Sequence, residues 1–132
     1  MREKKFRGLV EQTENRKRYW VYYGVGSKPA LIGARWLVED CQYIELYDKA
    51  GIEIFEGDIA RYLADGRWKT GSIIWQRGGY AIHVVKYGTE PMDAIFEFQA
   101  FIATPRNGNA MGYGFQVIGN VFENPELVKE IY

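Results

Sequence analysis

The chain has 132 residues, of which 47% are hydrophobic and 16% aromatic; that is enough for one genuine core and too short for two comfortable domains. Seventeen basic and seventeen acidic residues cancel, so no excess of positive charge can release counterions from a phosphate backbone, which disfavours non-specific nucleic-acid binding. A single cysteine, Cys41, excludes an intramolecular disulfide and a cysteine-rich metal site and fits a reducing compartment.

Met1 leads directly into charged residues, and nowhere do about 18 apolar residues follow one another. Neither secretion nor membrane insertion is expected, and the cytoplasm is the expected location. The first eighteen residues are locally basic (Arg2, Lys4, Lys5, Arg7, Arg16, Lys17, Arg18), interrupted by Glu3, Glu11 and Glu14. They read as the solvated face of a strand, with an anionic contact as the alternative.

Aromatic and β-branched residues favour pleated strands. Lys5 to Val10 and the strongly aromatic Arg18 to Tyr23 are predicted strands joined by a turn at Asn15, and Gly24, Gly26, Ser27 and Pro29 break the second. Leu31 to Asp40 stays open between strand and short helical turn, because periodicity cannot decide over so few residues. Tyr43 to Tyr47 and Ile52 to Phe55 flank Asp48-Lys49-Ala50-Gly51 as a hairpin, with Gly51 in the left-handed conformation.

Beyond Glu56-Gly57-Asp58, strands are predicted over Ile59 to Ala64, Trp68 to Gln76 and Tyr80 to Tyr87, with turns at Asp65-Gly66 and Arg77-Gly78-Gly79. Along Tyr80 to Tyr87 both faces carry large or apolar groups: Tyr80, Ile82 and Val84 on one, Ala81, His83 and Val85 on the other. The second face is expected to need a cover, which points to self-association. Ile95 to Ala103 alternates with Phe96, Phe98, Ala100 and Ile102 facing in and Glu97 and Gln99 facing out.

A Gly- and Asn-rich loop from Thr104 to Gly114 precedes a last strand, Phe115 to Phe122. A short C-terminal helix follows, opened by Asn124 as cap, Pro125 at the first helical position and Glu126 at the positive end of the dipole, with Leu127 and Ile131 docking inward. The expected fold is mostly β. It has an N-terminal, hairpin-rich β segment over 1–57 and a small SH3-like barrel with the C-terminal helix over 58–132, integrated as one unit.

No catalytic constellation emerges. His83 is the only histidine, in a hydrophobic strand with no Asp, Cys or Ser beside it, and reads as a packed or edge-strand residue with one hydrogen bond. Cys41 follows Asp40, whose charge would raise a thiol pKa, so it reads as structural. Glu39-Asp40, Glu53, Glu56-Asp58 and Glu123 match no metal-binding spacing, and Asp58 reads as a backbone-turning residue. Gly24-Val25-Gly26 and Gly112-Tyr113-Gly114 lack the context of a nucleotide loop. No cofactor or metal is expected.

Exposed aromatics are the better functional lead, because ten Tyr and four Trp exceed what so small a barrel can hide. Trp20, Trp75 and Tyr80 are the candidate binding residues, with core or interface packing as the competing reading.

Three groups of segments stand out in order: Arg2-Glu3 with Lys5-Phe6-Arg7, Gln42-Tyr43 before Asp48-Lys49 and Gly51, and Glu53-Ile54-Phe55-Glu56-Gly57-Asp58-Ile59. The chain closes on Val117-Ile118-Gly119-Asn120-Val121-Phe122-Glu123-Asn124-Pro125-Glu126-Leu127. In these segments it resembles the YopX family of phage and prophage proteins from bacteria. The chain departs from the family pattern at Ile44-Glu45 and at Ala50, and residues 60 to 115 match loosely. The resemblance implies a β-rich, oligomeric, phage-encoded protein without an assigned activity, and it brings no catalytic residues. Gly57 and Gly119 are expected where a side chain would disturb a bend or a close backbone approach.

A non-enzymatic module that binds a host or phage protein through an aromatic face or sheet edge is the expected function. A nucleic-acid accessory protein is the alternative.

Overall fold

A computed structural model describes residues 4–76, 78–97 and 115–129. The chain divides into two compact units, Met1–Tyr43 and Ile44–Tyr132. The Asp48–Gly51 hairpin therefore lies with the second unit, where Ile44 and Ile54 join the core.

In the first unit, β1 (Lys5–Gln12) pairs antiparallel with β2 (Arg18–Gly24) on one side and β3 (Ala34–Tyr47) on the other. The β1–β2 turn forms because Asn15 accepts the Lys17 N–H at 2.9 Å and Arg16 takes a left-handed φ of 57°. Of the ambiguous stretch Leu31 to Asp40, residues 34–40 are strand, because Trp36 and Val38 find partners in Val10 and Leu9 on β1. Pairing across more than twenty residues outweighs a local preference that was nearly neutral.

Leu9 and Val10 are fully buried, and Gly8 leaves room for the Trp36 ring, which would lie only 2.5 Å from a Cβ there. Glu11 is also buried, directly opposite Arg18 on β2 and Arg35 on β3, and pairs with both at 3.2 and 3.0 Å. Cross-strand geometry thus makes the carboxylate affordable in the sheet: both charges it needs sit at its own register position.

β3 runs through Tyr43 and ends in the hairpin to β4 (Glu53–Phe55), giving the sheet order β2-β1-β3-β4. Gly51 has a φ of 84°, and its N–H donates to the Asp48 carbonyl at 3.0 Å. Asp48 is itself buried, and its Oδ1 accepts the N–H groups of Ala50 and Ile52 at 2.8 and 2.9 Å.

The second sheet holds β5 (Asp58–Ala64), β6 (Arg67–Gln76), β7 (Gly79–Tyr87), β8 (Glu90–Glu97) and β9 (Gln116–Asn120) in the order β8-β7-β6-β5-β9. A four-strand meander whose first strand also takes the last one is the order of an SH3-like half-barrel. Asp65 and Gly66, at φ 52° and 80°, close the β5–β6 hairpin as the paired positive angles of a tight two-residue turn require. Ile44, Ile54, Ala60, Tyr62, Ile73, Ile82, Val84 and Phe115 form the core. The chain is mostly β, with one short helix among the described residues, α1 (Glu126–Lys129).

Three expectations change. β8 begins at Glu90, five residues before the predicted start, and Pro91 is tolerated because β8 lies at the sheet edge; Phe98 to Ala103 and the loop from Thr104 to Gly114 lie outside the described residues. Second, the far face of β7 does not lie open: Val85 is 5% exposed and Ala81 fully buried within one chain. The register shifts between Thr70 and Gly71, so Val84 pairs with Gly71 while Lys86 pairs with Thr70, and Val85 falls in the bulge between them.

Third, Asn124 does not cap α1 with its side chain. Its Oδ1 turns back to accept the Asn120 N–H at 3.2 Å, and its carbonyl takes the Leu127 N–H at 3.1 Å. Asn124 Oδ1 would lie 2.6 Å from a Cβ on Gly119, and the Phe122 ring 2.6 Å from one on Gly57, which bears out both glycine readings. Ile131 lies outside the described residues.

Candidate binding groove in the N-terminal unit

β2 ends where Gly24 and Ser27 close on each other: the Gly24 N–H donates to Ser27 Oγ at 2.8 Å, Ser27 Oγ donates to the Gly24 carbonyl at 3.0 Å, and Gly26 takes a φ of 77°. This turn leaves an open groove of about 370 Å³ lined by Phe6, Tyr23, Gly24, Val25, Gly26, Lys28 and Asp40. The wall is aromatic because Phe6 and Tyr23 are cross-strand partners and stack at 5.9 Å, while Trp36 meets Tyr23 edge-on at 5.7 Å.

At one end of this wall the groups are polar. The Tyr23 hydroxyl donates to Asp40 Oδ1 at 2.5 Å and accepts the Asp40 backbone N–H at 2.8 Å. Asp40 sits at φ 59°, a left-handed conformation that Asp and Asn adopt more readily than other side chains. The hydrogen bond from Tyr23 and the charge of Lys28 hold the Asp40 carboxyl below its ordinary range. Burial, followed by the Asp40 carboxylate, pushes the Tyr23 hydroxyl up to about 12, so near neutrality it is a fixed donor.

Lys28 completes the arrangement. Its Nζ lies 2.5 Å from Glu39 Oε1 and 3.5 Å from Asp40 Oδ1, with the Trp36 and Tyr23 ring centroids at 5.1 and 5.9 Å. The Glu39 hydrogen bond is the main reason its pKa is raised. An ammonium group is thus surrounded by two carboxylates and two π-faces.

The residues singled out by sequence fall in different places. Trp20 belongs to the first unit and is half-buried, with the Arg7 guanidinium 4.1 Å from its ring centroid. Trp75 and Tyr80 are brought together in the second unit as direct partners of β6 and β7, edge-on at 4.9 Å. Trp75 is 55% exposed, whereas Tyr80 is half-buried and its hydroxyl is pushed up to about 12 by burial and by the charge of Glu56. This pair forms a surface ridge, and the groove lies elsewhere.

His83 has a partner that sequence proximity concealed: Nε2 lies 2.7 Å from Asp93 Oδ1, carried in by β8. Among the described residues that is its one side-chain hydrogen bond, as expected of a strand histidine. Cys41 is buried, and Asp58 turns the chain by accepting the Phe55 N–H at 2.8 Å. Among the described residues, no three of His, Cys, Asp or Glu are grouped to hold a metal ion, and no helix is long and apolar enough to cross a membrane.

Sequence reasoning missed Tyr23, Lys28, Glu39 and Asp40 as a set. The local signal was the Gly24-Val25-Gly26 breaker beside an aromatic strand; the carboxylates arrive only through the β1–β3 pairing.

These features define a mostly β protein with an SH3-like half-barrel and a separate aromatic groove carrying both signs of charge. The chain belongs to the YopX protein family, whose model matches residues 2–129. No curated protein matches the chain.

Proposed function

We propose that this YopX-family chain is a non-enzymatic protein-binding module, encoded by a phage or prophage and acting in the bacterial cytoplasm on a host or phage protein. The observation that carries the reading is the groove of Phe6, Tyr23 and Gly24–Gly26, which pairs an apolar wall with the charged groups Lys28 and Asp40. Concave apolar surface with a few oriented polar groups suits an extended peptide segment: the wall gains from burying side chains, and the charges select among them.

Selection of displayed random peptides tests it. Enriched peptides should bind the folded chain and lose most of their affinity on Asp40→Asn, a change that keeps shape and left-handed propensity and removes the charge. A selection that enriches nothing, or peptides indifferent to every groove substitution, would falsify the reading.

A nucleic-acid accessory role is the second reading. It is favoured by Trp68, whose ring centroid has the Arg61 guanidinium at 4.2 Å and Lys49 Nζ at 5.6 Å. Cations stacked on an aromatic ring suit a single strand, but the balanced charge of the chain argues for weak binding. Steep salt dependence of oligonucleotide binding would favour it.

Self-association is retained on different grounds. With Val85 covered, we assign it to β2, an outer strand of its sheet whose Tyr19 and Tyr22 are exposed. Light scattering should report more than one chain per particle, and Val21→Pro in β2 should lower that mass.

A further inference from the structure

The groove holds an ammonium group that the chain supplies to itself. Lys28 Nζ contacts Glu39 and Asp40 and faces the rings of Trp36 and Tyr23. Nothing in the fold core requires a lysine there: residues 25–30 are all exposed, and the turn closes through Ser27. The receptor parts come from ordered strands. Tyr23 is on β2, Trp36, Glu39 and Asp40 are on β3, and the mutual hydrogen bonds of Tyr23 and Asp40 fix the carboxylate before any cation arrives.

The geometry points to a primary-ammonium site whose resident ligand, Lys28, is displaced by a lysine side chain of the partner. This rests on the protein-binding reading and names the chemistry that the groove selects. A lysine suits the site along its whole length. Its methylene stem would lie on the Phe6–Tyr23 wall, and its head would reach Asp40 at the end of the groove. Charge agrees as well: without Lys28 the site presents Glu39 and Asp40 together, an unbalanced negative pair beside electron-rich ring faces.

Lys28 is tethered four residues beyond Gly24, so it competes as a local ligand at an effective concentration of the order of millimolar. A partner must outbid it, and only a segment that also fills the apolar wall does so. Resident and incoming lysines exchange one for one, which leaves the net charge of the site unchanged and sets a threshold against casual cations.

The test uses the full chain and a defined probe, N-acetyl-lysine methylamide, followed by NMR at the Trp36 indole and Tyr23 ring. Lys28→Met keeps the stem and removes the charge, and should bind the probe at least about tenfold more tightly than wild type, the gain expected when a tethered competitor is removed. The norleucine analogue should not compete, and adding Asp40→Asn to Lys28→Met should abolish the gain. Lys28→Gln repeats the measurement in a polar background, and spectra unchanged away from the groove establish that each variant is folded.

Equal binding by wild type and both Lys28 variants, or equal binding of the lysine and norleucine probes, overturns the proposal and leaves Lys28 as a clamp on its own turn. That failure is distinct from failure of the binding-module reading: displayed peptides lacking lysine could still be enriched on the groove and still depend on its wall.

Discussion

Asp48 and Val117 lie 69 residues apart in sequence, yet the Val117 backbone N–H donates to Asp48 Oδ2 at 3.1 Å. The other oxygen of the same carboxylate holds the N–H groups of Ala50 and Ile52, and the Lys49 N–H donates to the Phe115 carbonyl at 2.8 Å. One buried side chain therefore shapes the β3–β4 turn and fastens the entry of β9 to it. Asp48→Ala strands three backbone donors and should cost about 2–4 kcal/mol, with Asp48→Asn costing less because one acceptor oxygen survives. Urea denaturation followed by tryptophan fluorescence measures both; a loss below about 0.5 kcal/mol for the alanine variant would remove Asp48 from this role.

Gly71 supports a second prediction. A Cβ there would lie 2.2 Å from the His83 carbonyl oxygen and 2.8 Å from the Val84 Cα, backbone atoms that cannot move aside without disturbing the bulge. Gly71→Ala should destabilise the chain by about 3 kcal/mol or more, whereas Gly24→Ala, whose Cβ would meet nothing nearer than 3.5 Å, should fall within about 1 kcal/mol of wild type. Comparable midpoints for the two variants would contradict the register shift.

Acid stability should depend on Glu11. Hydrogen bonds and charge from Arg35 and Arg18 outweigh burial and hold its folded pKa below the ordinary 4.5. The folded chain binds this proton less tightly than the unfolded one, so the contribution is complete above 4.5 and drains away as pH falls through the lowered value. Wild type should exceed Glu11→Gln in stability near neutrality, and the gap should narrow below 4.5; a gap that stays constant into acid would show that the ionised carboxylate is not its source.

At the alkaline end the tyrosines act in the opposite direction. Tyr23, Tyr62 and Tyr80 are raised from 10.0 to about 12, in each case chiefly by burial. Folding retains these protons, so their contribution is full below 10 and is lost as pH rises through about 12. Tyrosinate absorbance should rise in two stages, the later one accompanying unfolding. A single folded-state titration near 10 for every tyrosine would disprove the burial of these hydroxyls.

The exposed ridge should be dispensable for folding. Trp75→Ala removes an edge-on contact with Tyr80 from a side chain already more than half in water, so it should cost about 0.5–1.5 kcal/mol. Peptides selected on the groove should bind this variant as they bind wild type. A loss of peptide binding would move the recognition surface to the ridge.

What the sequence alone determined was local. Asp65-Gly66 and Gly51 made their turns because positive φ is inexpensive at Asp and least costly at Gly, and Pro125 opened α1 because its φ is preset. An almost continuous aromatic run likewise marked β2, and the aliphatic and aromatic runs marked β5 to β7, since those patterns depend only on neighbouring residues. Tertiary structure alone decided the rest. Residues 34–40 became strand through β1, Val85 was buried by a one-residue shift against β6, and His83 met Asp93 across β7 and β8. The groove belongs to this second group: Tyr23 and Asp40 are 17 residues apart, and only the register of β2, β1 and β3 brings a hydroxyl, a carboxylate and the Lys28 ammonium within bonding distance. Local patterns choose conformations, but the charge and burial of a side chain are properties of what the sheet sets beside it.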